Sequence, residues 1–248
     1  DKKGSAIEFD DPEYYMSIAR AQHMEHLIER HATIMDKYDP DRTIGLIVDE
    51  WGAWYDQHPG SVPGFLYQQN TMRDVIIAGL TLNIFNNHAD RVKMANIAQL
   101  VNVLQALFLT EDEKMILTPT YHVFDMYKVH QDAILLPAHV SGTPLKDNRG
   151  EEFPHVSVSA SRSTDGTVNI SFVNTDLEKD AAIDCLLSRL DKAAKGKGHI
   201  ITSKNIRDYN SFDNPNKVVM YDFDDFTVKN NKLSFNLPAK SVVTIEIK

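Results

Sequence analysis

The sequence has little to hold it together covalently and little with which to bind a polyanion. Cys185 is the only cysteine in 248 residues, so no disulfide framework supports the fold, though this leaves the compartment open. Basic residues are outnumbered: 26 Lys+Arg against 35 Asp+Glu gives a formal net charge of -9. Such a surface repels phosphate backbones, and no nucleic-acid partner is expected. Long apolar runs are missing too. The longest uncharged one, around 75–85, is too short to span a bilayer, so no membrane partner is expected. The opening residues, DKKGSAIEFD, have no signal-peptide h-region and no initiator Met, which places the expected natural N-terminus upstream. There are no internal repeats, low-complexity tracts or glycine-rich nucleotide fingerprints. Lys195-Gly196-Lys197-Gly198 lacks P-loop spacing and reads as a loop between strands. What remains is 42% hydrophobic and 25% charged, enough for a sizeable core in one large domain or two ordinary ones.

The first half alternates helical and strand-like patterns. Asp10-Asp11-Pro12 is a helix start, with an Asp to cap free N–H groups and a Pro in the first turn. Met24, Leu27, Ile28, Ile34, Met35 and Tyr38 continue one face, and Pro40 should end the helix near Asp39. Ile44-Gly45-Leu46-Ile47-Val48 has no polar alternation and reads as a strand buried on both faces, as in a parallel sheet. A Gly/Pro-rich loop leads to a helical pattern over 68–87 that carries Gly79 on its apolar face. A second buried strand is expected at 92–97 and a further helix at 121–129, while 96–108 is ambiguous.

After about residue 135 the texture changes. Val156, Val158 and Ala160 alternate with serines, and Val168, Ile170 and Phe172 alternate similarly, with the hairpin signal Asp165-Gly166 between them. Further strands are expected at 218–221, 233–237 and 242–247, with a linker near 141–152. The fold class is therefore α/β plus all-β, divided into residues 1–135 and an antiparallel β-sandwich over 136–248. The first part poses a problem: roughly two strands cannot bury both faces of a parallel sheet. The chain is expected to begin inside a domain.

The carboxylates of GLIVDEWGAWYDQHPG stand where that strand ends. In a (β/α) barrel, residues at the carboxyl ends of the strands line the active-site mouth. Neighbours on a strand point to opposite sides, so one of Asp49 and Glu50 should reach the reacting centre and the other brace it. A solvated strand end is the plainer reading. Trp51 and Trp54 weigh against it, because sugars pack their C–H faces on aromatic rings while acids do the chemistry.

Three blocks sharpen this: GLIVDEWGAWYDQHPG; GFLYQQNTMRDVIIAGLTLNIFNNHADRVKMANIAQLVNVLQALF; and KMILTPTYHVFDMYKVHQDA. Together they resemble α-L-arabinofuranosidases of glycoside hydrolase family 51, and the likeness runs more loosely on to LPAKSVVTIEIK. The resemblance implies the C-terminal portion of a (β/α)8 barrel followed by a β-sandwich. It implies a retaining hydrolase that removes terminal α-L-arabinofuranosyl groups from arabinan or arabinoxylan fragments. Glu50 matches the family's nucleophile, Gln99 a glutamine that binds the arabinose, and Trp54 an aromatic on the leaving-group side. Asp49 is expected to support Glu50 from behind. Without the family match, Gln99 reads as a polar residue on an ordinary helix and Trp54 as core.

The family's acid/base glutamate follows an asparagine, and this chain contains no Asn-Glu dipeptide. Its partner carboxyl, and a substrate-binding tyrosine, are expected upstream. The implied partners are an arabinose-containing glycan and either copies of this chain or a complementary N-terminal polypeptide. No cofactor is expected, since two carboxylates suffice. The competing readings are a non-catalytic fragment or carbohydrate-binding module, and a related β-glycan hydrolase. Other patterns are set aside. His23, His26 and His31 read as a solvated helix face with no metal expected. His88, beside Asp90 and Arg91, could orient the site or only pack. The sequon at Asn169 falls in an expected strand.

Overall fold

The computed structural model describes residues 3–62, 64–188 and 195–248. Helix α1 (Asp11–Tyr38) starts as the sequence predicts. Asp10 accepts from the Glu13 N–H at 2.8 Å and Glu13 reaches back to the Asp10 N–H at 2.9 Å, with Pro12 in the first turn. Strand β1 (Leu46–Trp51), helix α2 (Met72–Asn87) and strand β2 (Val92–Ile97) follow, and β2 runs parallel to β1. Arg91, 1% exposed, joins their starting ends. Its guanidinium binds Asp39 at 2.6 Å and Asp36 at 2.5 Å, where α1 ends, and donates to the Ile44 carbonyl at 2.8 Å. The Arg91 carbonyl in turn accepts from the Leu46 N–H at 2.7 Å. The Ile44 N–H, the Thr43 hydroxyl and Arg91 hold the Asp39 carboxyl well below the usual carboxylate range.

Residues 44–48 are not buried on both faces. Leu46 and Val48 pack on the helices, but Ile44 and Ile47 are 62% and 53% exposed. The reason is topological: among the described residues β1 pairs only with β2, and nothing covers the second face. The ambiguous stretch after β2 is irregular, and it leads into a hairpin the pattern did not reveal, β3 (Phe108–Glu111) and β4 (Lys114–Leu117). Helix α3 (Pro119–Tyr127) then forms where a helix was expected, capped by the Thr118 hydroxyl.

The rest is sheet. A six-stranded antiparallel sheet has the order β12-β11-β15-β9-β8-β5, from Tyr221–Phe223, Gly196–Thr202, Ser241–Ile247, Val168–Asn174, Val156–Arg162 and Ile134–Leu136. A three-stranded sheet, β10-β14-β13, comes from Ala181–Leu186, Lys232–Leu237 and Phe226–Lys229, and a small hairpin pairs β6 (Leu145–Lys146) with β7 (Glu152–Phe153). The two larger sheets share an apolar core that includes Ile170, Phe172, Leu233, Phe235 and Val243. Strand β5 straddles residues 135 and 136 and pairs with β8. The β8–β9 hairpin turns at Asp165-Gly166, where Gly166 has φ +88°. Two expectations are corrected. The 218–221 strand begins only at Tyr221, and Gly196-Lys197-Gly198 opens a strand instead of a loop. Gly196 lies under the Phe226 ring and Gly198 under the Phe223 carbonyl, so these glycines permit close approach and do not mark a turn. Strands β10 and β13 were not foreseen.

Helix α2 joins the two halves. It is buried nearly all round, with β1 and β2 on one side and β8, β9 and β15 on the other. Its backbone comes so near the sheet that a Cβ at Gly79 would lie 2.9 Å from methyls of both Val173 and Val242. One turn on, Asn83 donates to Ser157 Oγ at 3.1 Å and accepts from Ser159 Oγ at 2.8 Å and Tyr127 OH at 3.0 Å. The serines that alternate along β8 therefore face a helix, not water. His130 extends this seam, with Nδ1 2.7 Å from Ser161 Oγ and Nε2 2.6 Å from Ser171 Oγ, and burial lowers its pKa to about 4.

Two outcomes follow from this seam. Gly79→Ile should lower unfolding free energy by about 1–3 kcal/mol through overpacking, read from urea denaturation, and an unchanged midpoint would show that α2 does not press on the sheet. His130 should add acid sensitivity. In the unfolded chain it takes up a proton near its ordinary pKa of 6.5, and in the fold only near 4. Its contribution is complete above pH 6.5 and is lost as pH falls toward 4, by about 3 kcal/mol over that window. The pH dependence of stability between 6.5 and 4 should be shallower in His130→Gln than in the parent, and equal slopes would refute a neutral buried ring.

Candidate active site

Because β1 and β2 are parallel, their carboxyl ends open at one edge. Trp51 is in register with Ile97, and the Ala98 N–H donates to the Trp51 carbonyl at 2.8 Å. Asp49 and Glu50 are the last residues of β1 before Trp51, Trp54 follows three residues later, and Gln99 lies two residues beyond β2. The four residues singled out from the sequence thus gather at the same end of the strand pair. Gln99 is not on a helix. It is exposed on a loop, with its N–H donating to the Val103 carbonyl at 3.0 Å. His88 is not at this end either. It terminates α2 and pairs with Glu25 of α1 at 2.5 Å, a hydrogen bond that raises its pKa.

The strand departs from simple alternation where the chemistry is expected. Val48 and Trp51 both join the helix-side core, with Trp51 in contact with Phe85 edge-on and stacked on Phe124. The register with β2 shifts between Val48 and Trp51. Two residues, Asp49 and Glu50, therefore fit between two inward-facing ones, and both are exposed. Strict alternation was expected to send Asp49 and Glu50 to opposite sides, and this irregularity leaves both exposed. Trp54 is not core: it is 50% exposed, and the Lys3 ammonium lies 3.3 Å from its ring centroid.

Gly52 makes the turn between Glu50 and Trp54. Its φ is +129°, and a Cβ there would sit 3.2 Å from both Gln105 Oε1 and Ile97 Cδ1. Arg73, 2% exposed, lies 3.8 Å from the Phe9 ring and 3.7 Å from the Tyr55 ring, and donates to the Ser5 and Ala6 carbonyls. A cavity of about 230 Å³ opens behind this turn, walled by Trp51, Trp54, Met24, Leu27 and Ile77. Met24 and Leu27 of α1 and Ile77 of α2 place the cavity on the helix side, and Glu50 is not among its walls. The sequence reading passed over Gln68 and Gln105, 1% and 0% exposed, which both reach the turn. The signal available for the first was the uncharged polar run YQQNT, and hydrophobic periodicity gives none for the second.

Residues 49–241 match the model of the alpha-L-arabinofuranosidase C-terminal domain. The chain belongs to that family. It is 45% identical over 99% of its length to an intracellular exo-alpha-L-arabinofuranosidase of Bacteroides ovatus, covering 48% of that protein. It also superposes with a TM-score of 0.96 and 41% identity on the GH51 arabinofuranosidase of Xanthomonas axonopodis pv. citri, over 100% of this chain and 50% of that one. An arabinose complex of the Thermotoga maritima alpha-L-arabinofuranosidase, at TM-score 0.80 and 24% identity, covers 96% of this chain and 50% of that one and shows the shared fold alone. The chain spans about half the length of the relatives it matches. Among the described residues, no helix is long and apolar enough to cross a membrane.

Gly52→Ala tests the turn. The backbone strain should cost about 1–3 kcal/mol in thermal stability, together with a change in tryptophan fluorescence. A variant with both unaltered would show that the turn does not need glycine.

Proposed function

We propose that this chain is the carboxyl-terminal half of a retaining α-L-arabinofuranosidase, with Glu50 as its nucleophile. The observation that carries this reading is the exposure of Glu50 at the carboxyl end of a parallel strand, beside the half-exposed Trp54, in a chain of this family. Glu50 would attack the anomeric carbon and form a glycosyl-enzyme, while a second carboxyl about 5–5.5 Å away protonates the leaving oxygen and later activates water. That second carboxyl lies in the preceding half of the protein. Gln99 would bind the arabinosyl ring, Trp54 would pack on the leaving-group side, and Asp49 would support Glu50. The substrates are arabinan or arabinoxylan fragments.

In the same reading β1 and β2, with α1 and α2, are the last units of a (β/α)8 barrel, and the two larger sheets form the sandwich behind it. Support comes from the open face of the strand pair, where Ile47 and Met94 are 53% and 54% exposed. Apolar side chains on that face call for a covering layer.

The test uses the full-length polypeptide. Glu50→Gln should lower turnover of an aryl α-L-arabinofuranoside at least ~1000-fold. Glu50→Gly should recover turnover with azide and release an arabinosyl azide of inverted configuration. If Glu50→Gln turns over at the parent rate, the nucleophile is elsewhere. If the first product of the parent enzyme is inverted by NMR, the double displacement is wrong.

A further inference from the structure

The turn between Glu50 and Trp54 is held by two side chains that belong to neither strand. Gln105 Oε1 accepts from the Ala53 N–H at 2.7 Å, and its Nε2 donates to the Asp74 carbonyl at 3.0 Å and to Thr120 Oγ1 at 3.3 Å. Gln68 takes the other side of the same residue. Its Nε2 donates to the Ala53 carbonyl at 3.1 Å, and its Oε1 accepts from the Tyr55 N–H at 2.9 Å. Both polar groups of the Ala53 backbone are thus tied to buried amides. We infer that Gln68 and Gln105 are positioning residues that fix Trp54 relative to Glu50.

Three features make this more than loop packing. A neutral amide carries a donor and an acceptor on separate atoms, so it can bridge two backbone groups, and each glutamine uses both ends. The anchors are rigid: Asp74 and Thr120 are fully buried at the starts of α2 and α3, and Thr120 also donates to Asn70 Oδ1 at 2.8 Å. The element held is short, because Ala53 stands between Gly52, whose backbone lacks a Cβ restraint, and the half-exposed Trp54. With Gly52 free to turn, the Ala53 hydrogen bonds are the constraint that selects one direction for Trp54. This inference rests on the proposed function only for its catalytic consequence. The mechanical part concerns this chain alone.

Trp51 is buried and Trp54 exposed, and in the full-length polypeptide labelled with 5-fluorotryptophan their 19F resonances are assigned with Trp51→Phe and Trp54→Phe. Gln105→Met keeps the volume and removes all three side-chain hydrogen bonds. It should shift or broaden the Trp54 resonance and leave that of Trp51 in place. If Gln105→Met does not fold, Gln68→Met decides by the same readout, since it leaves the Gln105 bonds intact. A folded variant with both resonances unmoved overturns the inference, and equal movement of both means general loosening and overturns it as well. In the full-length enzyme, the variant that moves Trp54 should lose about 10–100-fold in kcat/KM. Lost turnover with the Trp54 resonance unmoved sinks the positioning role. Movement of Trp54 with unchanged turnover leaves the clamp standing and sinks the assignment of Trp54 to the substrate site.

Discussion

Burial of α2 on nearly all sides is the constraint on which the rest of the structure depends. A helix with one wet face can drift by a fraction of a turn, and a helix between two layers cannot, because protein interiors are packed to crystal density. Gly79 sets how near the sheet may come, with valine methyls of β9 and β15 at its missing Cβ. Asn83, Asn86 and Asn87 set the rotation, since each finds a partner on β8 that only one orientation supplies. A buried amide left without its partner costs about 1–3 kcal/mol, so these pairings select the arrangement more strongly than they stabilise it.

The same helix links the sheets to the strand ends. Its first N–H groups have no partners within the helix. The Met72 N–H donates to the Asp208 carbonyl at 2.8 Å and the Arg73 N–H to the Ile206 carbonyl at 3.2 Å, both on the loop after β11. Phe212, further along that loop, packs with Tyr67 against the core of the β3–β4 hairpin. The all-β portion therefore caps the helix that begins where the loop after β1 ends. It is a buttress for the candidate site and not a module hung on a linker.

How much of this could be read in advance follows physical lines. The starts of α1 and the β8–β9 turn were legible because caps and turns are local chemistry: Asp10 with Glu13, Asp165 with Gly166. The carboxyl-end placement of Glu50 was legible from an apolar run stopping at a charge. What failed was non-local. The strand at 44–48 looked doubly buried because its sequence is written for two faces, while the described chain covers one. Gly196 and Gly198 looked like a loop because sequence cannot show a phenylalanine ring overhead. The pairing of Asp49 with Glu50 on the exposed side came from a register shift, which depends on β2 and leaves no trace in β1. Gln105 was invisible because its partner, Ala53, lies 52 positions away.

On the proposed function, two deficits of the chain have one physical origin. The first is the uncovered apolar face of β1 and β2, with Ile47 and Met94 more than half exposed. The second is chemical: hydrolysis with retention needs a second carboxyl at a fixed short distance from the first. Val48 and Trp51 join the helix-side core, while Ile47, Asp49 and Glu50 are all exposed. Ile47 and Glu50 are three residues apart on the same short strand, so a layer laid over the apolar face would come near Glu50. On the proposed reading, further parallel strands do both, burying the face as a continuous sheet and presenting the acid/base at their own carboxyl ends. A separate carbohydrate-binding module has no use for a bare parallel pair that ends in exposed carboxylates, and this asymmetry favours the catalytic reading.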